Sequence, residues 1–408
     1  MQRRQFLQGL ALGSAGLMLP VLQRSWISRS EAATDRAMVV VMLRGAVDGL
    51  SVLVPYGDDV YEESRPTIAI PAPGMPGGVT DLDGYFGLHP ALAKLLPLWS
   101  AGKLAFVPAS GSPDGTRSHF DAQDYLESGT PGVKNTRDGW LNRLLAEVRQ
   151  QNPIQAVSIS STTPRILAGA QSIASVAPGK RATRKLALDR AFVAESFAEL
   201  YAGRGKIGAI YQEGRQAREA IMAGLNQEMQ KADNGATSVA GLAGDARRLG
   251  QLMQRDRRVQ LGFMQVGGWD THINQGAAKG QLANKLRLLS SGLVALSDAL
   301  GSRFNQTVIV VMSEFGRTVK ENGNRGTDHG RGNVMWVLGG GVKGKKIYGK
   351  WPGLDRSTLE AGRDVPVVTD FRDVLQPILT QHWGLSDVQL ARVLPDYGSK
   401  NSISGLLK

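Results

Sequence analysis

The sequence predicts a layered α/β domain built around a mostly parallel sheet, and three observations carry that expectation. Six short apolar, β-branched runs recur along the 408 residues. Each run is nearly continuous rather than alternating, as strands buried on both faces require. Segments with apolar residues at helical spacing separate them, and strands alternating with helices bury their faces by layering.

The chain opens MQRRQFLQGLALGSAGLMLPVL. Arg3 and Arg4, followed by Phe6, Leu7 and a mild apolar segment, read as a bacterial twin-arginine export signal. Its apolar part, from Leu10 to Leu22, is shorter than the roughly 18 or more residues of a spanning helix. Small residues around Ser30, Ala32 and Ala33 suit cleavage, so residues 1–33 are expected to leave and 34–408 to form the mature domain. The translocase of that route is then a partner, and the destination is periplasmic or secreted.

AMVVVML (37–43) is the first strand, and PAPGMPGG (71–78) is an ordered loop or turn cluster. LHPALAKLLPLWSAG (88–102) has helical spacing despite Pro97, KLAFVPA (103–109) is a strand, and GWLNRLLAEVRQQ (139–151) is a clearer helix. IQAVSIS (154–160) and RVQLGFMQV (258–266) are strands flanking a different kind of stretch. From Lys180 to Arg257 the chain is dense in Ala, Arg, Glu, Gln and Leu, and a helical insertion is expected there, its helices broken at 203–208 and 233–237. Such an insertion, packed on the α/β core, could shape a substrate entrance. AKGQLANKLRLLSSGLVALSDALG (278–301) is a long helix pattern, and QTVIVVM (306–312) and NVMWVL (333–338) complete the strands.

Composition removes several chemistries. With no cysteine there are no disulfides, thiolate zinc sites, iron–sulfur clusters or cysteine nucleophiles. The formal charge is +12, and it remains +9 once Arg3, Arg4, Arg24, Arg29 and Glu31 leave with the signal. A basic surface favours anionic substrates, either small molecules or envelope polymers. The charges are scattered and no nucleic-acid motif accompanies them, so nucleic acid is not an expected partner. Beyond the signal, no segment is long and apolar enough to cross a membrane.

The unusual polar residues stand at the ends of the expected strands. AMVVVML runs into RGAVDGL with Arg44 and Asp48, and KLAFVPA into SGSPDGTRSHFDAQDYLESG with Ser118 and His119. RVQLGFMQV runs into GGWDTH with Asp270 and His272, and QTVIVVM into SEFGRT with Glu314 and Arg317. GTDHGRGN, holding Asp328, His329 and Arg331, precedes NVMWVL. The carboxyl ends of parallel strands share one edge, where ligands bind, so these clusters should converge. Packed acids repel unless a cation neutralises them. Carboxylate and imidazole ligands without sulfur suit zinc, manganese or iron, with magnesium or calcium at an all-oxygen position. Two ions ~4 Å apart would clamp an anionic ester for hydrolysis, with arginines holding the non-bridging oxygens. Each piece also has a plainer reading. Asp48 and Asp270 suit turns, Glu314 and Arg317 could be an ordinary ion pair, and Ser118 and His119 could serve the start of a helix. His89 and His382 are read as structural.

Taken together, the twin-arginine start, RGAVDGL, SHFDAQDYLESG, GGWDTH, SEFGRT and GTDHGRGN resemble the bacterial DUF1501 family, grouped with the alkaline phosphatase-like superfamily. The resemblance covers nearly the whole mature chain. It implies a three-layer α/β/α sandwich with a mostly parallel central sheet, two metals at its carboxyl edge, and a hydroxyl nucleophile at a helix N-terminus. Asp48 resembles the acid after the first strand, which holds a metal near the nucleophile. Asp270 and His272 resemble the acid–histidine pair of the second metal, although the superfamily usually spaces that pair wider. SEFGRT is similar in place to an Asp-His pair, but Glu314 stands first and Phe315 replaces the histidine. His329 resembles the last histidine ligand, and Asp328 is its neighbour or itself a ligand. Ser118 is the best-placed nucleophile, with Thr116 and Ser110 as alternatives, and Arg317 is assigned a catalytic role. A formylglycine sulfatase is not expected, because the chain lacks both cysteine and a Ser-x-Pro-Ser-Arg pattern.

The implied function is an exported metal-dependent hydrolase of phosphate or sulfate esters, with zinc as the first candidate ion. The alternative is a non-catalytic relative that keeps the fold as an envelope binding or assembly partner.

Overall fold

A computed structural model describes residues 35–148, 155–160, 162–179, 191–202, 205, 207–211, 213, 215, 241–398 and 402–408. The expected export signal lies outside the described residues, as do 180–190 and 216–240 of the expected insertion.

The strands are β1 (Ala37–Leu43), β2 (Leu53–Val54), β3 (Thr80–Asp81), β4 (Gly87–Leu88), β5 (Leu104–Gly111) and β6 (Ala156–Ile159). They continue with β7 (Ala174–Val176), β8 (Leu261–Val266), β9 (Thr307–Ser313), β10 (Asn333–Leu338), β11 (Lys346–Ile347) and β12 (Thr369–Asp370). The main sheet runs β11-β5-β10-β9-β1-β8-β6-β7, with β12 paired to β5, while β2, β4 and β3 form a small antiparallel sheet.

The continuous apolar runs become the inner strands for the reason anticipated: both faces are covered. On β1, Ala37, Val39, Val41 and Leu43 face a core shared with Leu249 and Met253 of the helix Leu242–Arg255 and with Leu286, Leu289 and Leu293 of the helix Gln281–Leu300. Met38, Val40 and Met42 face the opposite core, shared with Trp140 and Leu144 of the helix Trp140–Glu147 and with Phe371 and Leu375 of the helix Phe371–Pro377. Each such fully buried side chain is worth about 1.5–3 kcal/mol of transfer free energy. The result is the three-layer α/β/α sandwich with a mostly parallel sheet. The helix Leu242–Arg255, at the end of the stretch expected as an insertion, is part of one of these layers. No described helix is long and apolar enough to cross a membrane.

Register places the site. Leu43 pairs with Val266 on one side and Ser313 on the other, so β1, β8 and β9 end at one level. β10 runs antiparallel to both β9 and β5, which makes β5 parallel to β9. The amino end of β10 therefore lies at the same edge, with Asn333 beside Ser110. This reversal brings GTDHGRGN to the others from in front of a strand rather than from behind one.

Candidate metal centre

Three imidazoles meet at this edge. His119 is the first residue of the helix His119–Ser128, the element that follows β5, and its Nε2 lies 3.0 Å from Nε2 of His329. Nε2 of His272, from the loop after β8, lies 3.1 Å from the same atom. Asp270 completes the group, with Oδ1 at 2.9 Å from His272 Nε2 and 3.4 Å from His329 Nε2, and Oδ2 at 3.7 Å from His119 Nε2. His119, Asp270 and His329 each bring a ligand atom within 4.8 Å of the others, and His272 extends the cluster through Asp270 and His329.

Behind each imidazole stands an acceptor that fixes its proton. His119 Nδ1 is 2.8 Å from Glu314 Oε1, His272 Nδ1 is 3.1 Å from Asp328 Oδ1, and His329 Nδ1 is 2.9 Å from the Arg117 carbonyl. A carbonyl or an ionised carboxylate can only accept, so each Nδ1 carries a hydrogen, and Nε2 is the atom that each ring turns toward the cluster.

The carboxylates are ionised for identifiable reasons. Burial would raise the Glu314 carboxyl, but hydrogen bonds from His119, Gln123 and the Gly45 amide outweigh it and hold it below its ordinary range. Asp328 is held low first by the Asn322 amide and then by His272. Burial would raise Asp270 as well, and Arg317, whose Nη2 lies 2.5 Å from Oδ1, reverses that. Burial pushes the His329 imidazole below its ordinary value, which favours the neutral ligand form.

The donor set fits a divalent cation. Nε2 lone pairs 3.0 and 3.1 Å apart repel unless a proton or a cation lies between them. With metal–nitrogen bonds of about 2.0–2.1 Å, a tetrahedral edge is about 3.3 Å, close to these separations. Among the described residues, Asp270, Glu314 and Asp328 outnumber Arg317, the guanidinium ion-paired with this group of acids, which leaves negative charge for a cation to balance. Hydrogen-bonded acceptors behind the imidazoles are the usual outer support of metal-binding histidines. Below lies a closed layer: Glu314 and Arg317 side chains are 0% exposed, and Phe315 packs its ring 4.8 Å from His119 and 5.0 Å from His329.

The edge gathers some of the expected residues directly, some only as supports, and some not at all. Asp270, His272 and His329 meet as ligand candidates. Asp328 and Glu314, expected as ligands, each place one oxygen behind His272 and His119, against an Nδ1–H group. His119, which could be read as a capping residue, takes the inward position. The signal for it was its place in the polar segment that follows a strand, the same one that marked His272.

Asp48 is corrected. It is fully buried, with Arg65 Nη1 2.5 Å from Oδ2 and Nη2 3.0 Å from Oδ1, and Ser51 Oγ and Gln275 Nε2 also bind Oδ2, at 2.6 and 2.7 Å. Burial alone would raise this carboxyl, but the Arg65 charge and these hydrogen bonds hold it low. Its charge is already met by Arg65, with three hydrogen bonds on Oδ2 and one on Oδ1.

Arg317 is likewise not an anion clamp. Its Nε donates to the Ala46 carbonyl, Nη1 to Thr327, and Nη2 to Gly45 and to Asp270, so the guanidinium positions Asp270 and ties three loops together. Arg44 is spent on Gln265, Gln123 and Glu127. Ser118 is exposed and caps its helix by accepting the Asp121 amide at 3.4 Å, while Ser110 is buried and bonded to the Val107 carbonyl and the Met335 amide.

Glycines in GTDHGRGN act through close approach rather than through a left-handed turn. A Cβ on Gly326 would lie 2.3 Å from the His272 carbonyl oxygen, and one on Gly330 would lie 2.4 Å from the Arg317 carbonyl carbon. Bare backbone at these positions lets the segment lie against both neighbouring loops.

No curated protein matches the chain. Among solved structures, the chain is similar to Ps i-CgsB in complex with k-i-k-neocarrahexaose, at 12% identity and a TM-score of 0.36, over 87% of this chain and 73% of that one. It is similar to the lipoteichoic acid synthase LtaP from Listeria monocytogenes, at 9% and 0.38, over 87% and 74%. It is also similar to the C-terminal periplasmic domain of EcEptC from Escherichia coli in complex with Zn, at 9% and 0.34, over 74% and 73%. These likenesses are distant. The sequence profile of the family described as "Protein of unknown function (DUF1501)" matches residues 106–397, which include all three cluster histidines and Asp270, and the chain belongs to that family.

Proposed function

We propose that this protein is an exported, metal-dependent hydrolase of phosphate or sulfate esters. The observation that carries the reading is the convergence of three imidazole Nε2 atoms and one carboxylate, each imidazole with its Nδ1 proton fixed from behind. His119, His329, Asp270 and His272 would hold a divalent cation, zinc first, with manganese or iron next. Asp270 turns its two oxygens toward different histidines, a disposition that suits a second ion as well. A bound cation of this kind supplies Lewis acidity toward an ester oxygen and lowers the pKa of water.

The chain's own residues do the rest. Glu314, Asp328 and the Arg117 carbonyl keep the three Nδ1 protons in place, so the Nε2 atoms are not lost to the wrong tautomer. Arg317 holds Asp270 in its ionised, aimed position. Phe315 keeps water from the underside of His119 and His329, which strengthens electrostatic interactions above it. Ser118 acts as a helix cap, and water is the nucleophile. Residues 1–33 are the export signal, and the substrate is an anionic small molecule or an envelope polymer.

The test is turnover of a panel of aryl phosphate and aryl sulfate esters by protein loaded with one divalent ion at a time. Turnover that vanishes on chelation and in His329→Ala, but persists in Ser118→Ala, supports this reading. Loss in Ser118→Ala with metal retained would restore the serine nucleophile. One observation favours a second reading, a non-catalytic envelope binding protein: each guanidinium nitrogen of Arg317 is already engaged by a protein acceptor. Metal-loaded protein without turnover on any ester would favour it.

A further inference from the structure

Beside the histidine cluster lies a pair of guanidiniums that share one buried carboxylate. Asp364 has a fully buried side chain, and Arg117 Nη2 lies 2.5 Å and Arg363 Nη2 2.9 Å from its Oδ2, with Arg363 Nε 3.0 Å from Oδ1. One arginine would neutralise this acid, yet two are present, and their own side chains remain 38% and 46% exposed. Both are joined to His329. The Arg117 carbonyl accepts the His329 Nδ1 proton, and Arg363 Nη2 donates to the His329 carbonyl at 3.1 Å. Among the described residues, Arg117 Nε and Nη1 and Arg363 Nη1 show no protein acceptor. Arg331 adds a third cation nearby in sequence, but it is 8% exposed and turned to Glu360 and the Asp114 carbonyl.

We propose that Arg117 and Arg363 form a second anion subsite, so that the substrate is a polyanion carrying phosphate or sulfate groups on neighbouring units. This rests on the hydrolase reading for the ester at the cluster, though the subsite itself does not need it. Arg363 meets the His329 backbone carbonyl and the Arg117 backbone carbonyl meets Nδ1, whereas the cluster meets Nε2, so both arginines are anchored on the side of His329 away from the cluster. A group bound by the arginines is therefore a neighbour of the one at the cluster rather than the same one. Asp364 supplies what a built site needs: it desolvates one face of each guanidinium and fixes its plane, leaving the outer donors for a tetrahedral oxyanion. The pair with its acid carries a net charge of +1, so attraction to an anion survives the internal pairing.

The experiment is calorimetric binding of paired probes to the metal-loaded protein and to the same protein after chelation. In the phosphate arm, myo-inositol 1,4-bisphosphate is compared with inositol 1-phosphate. In the sulfate arm, a disulfated chondroitin disaccharide is compared with N-acetylgalactosamine 4-sulfate. The subsite predicts a preference of about tenfold or more for the doubly charged probe in at least one arm, and the arm identifies the chemistry. Arg117→Ala should abolish that preference, and the fold is spared because Arg363 still covers Asp364. Arg117→Lys should restore part of it, and Arg392→Ala, an exposed arginine paired with Glu147, should not alter it. No preference in either arm, or a preference that survives Arg117→Ala, overturns the proposal. A preference that persists in protein found to bind no metal keeps the subsite and removes the hydrolase reading, so the two failures are told apart.

Discussion

Two acid–base assemblies sit near the same edge of this sheet, and they differ in how many valences they leave open. Around Asp48 the charge is met inside the protein: Arg65 grips both oxygens, Ser51 and Gln275 add further bonds, and Arg65 Nε and Nη2 reach the Val319 and Thr318 carbonyls. Around His329 the outer valences are closed and the inner ones are not, since three Nε2 lone pairs and one carboxylate face each other across 2.9–3.7 Å. The first arrangement is complete as folded, and the second needs a cation to complete it. Residue type alone does not separate them, because both contain an aspartate after a strand and an arginine.

The largest effect expected from this contrast is on stability. Asp48→Ala would leave Arg65 charged and buried without its partner, and the cost should be about 3–5 kcal/mol. Urea unfolding reads it as a lower midpoint with an unchanged slope. Asp270→Ala should cost far less, because that side chain is 45% exposed and Arg317 keeps its backbone acceptors, yet it should remove bound metal. Equal losses of stability in the two variants would erase the distinction.

The sequence made the closed frame easier to read than the open site. AMVVVML and NVMWVL become β1 and β10 with the expected bounds, because runs apolar on both faces have few ways to be buried other than as central strands. The antiparallel direction of β10 was not legible, since a continuous apolar run carries no information about direction. The short strands β7, β11 and β12, each two or three residues long, pass below any periodicity signal. Convergence of Asp270, His272 and His329 followed from strand ends alone. The roles of Asp48 and Glu314 did not, because which atoms a carboxylate meets depends on Arg65 and His119, which approach from distant stretches of chain. His119 had the right position but two readings, cap or ligand. The structure divides them: Ser118 caps and His119 points inward.

Acid sharpens the contrast from another side. His89 and His382 are closed in the same sense as Asp48, with Nε2 of each against a backbone carbonyl, and burial pushes both imidazoles down to about 4. A folded pKa below the unfolded value of about 6.5 means that the unfolded chain takes up the proton first. Their contribution is full above about 6.5 and is lost as pH falls toward 4, with each worth on the order of 3 kcal/mol over that window. Thermal unfolding between pH 7.5 and 4.5 should show the fall, and His382→Gln should flatten it. A slope unaltered by that substitution would show that His382 does not titrate in this way.

A smaller and more local effect is expected at Glu314. Its carboxylate accepts from His119 Nδ1, whereas the amide of Glu314→Gln can offer a donor there and turn the imidazole to the wrong tautomer. Divalent-ion affinity should fall ~10–100-fold with little change in fold. Competition against a chromophoric chelator measures it, and undiminished affinity would mean that Glu314 does not set the His119 tautomer.

The central claim is that the open cluster is a metal centre. Elemental analysis of the folded protein, purified without chelators, tests it most directly beside the His119→Ala/His329→Ala double variant. About one equivalent or more of a divalent ion in the wild type, lost in the variant while its unfolding transition stays cooperative, is the predicted result. A wild type free of metal after incubation with zinc, manganese and iron, or a double variant that retains the wild-type content, would contradict it.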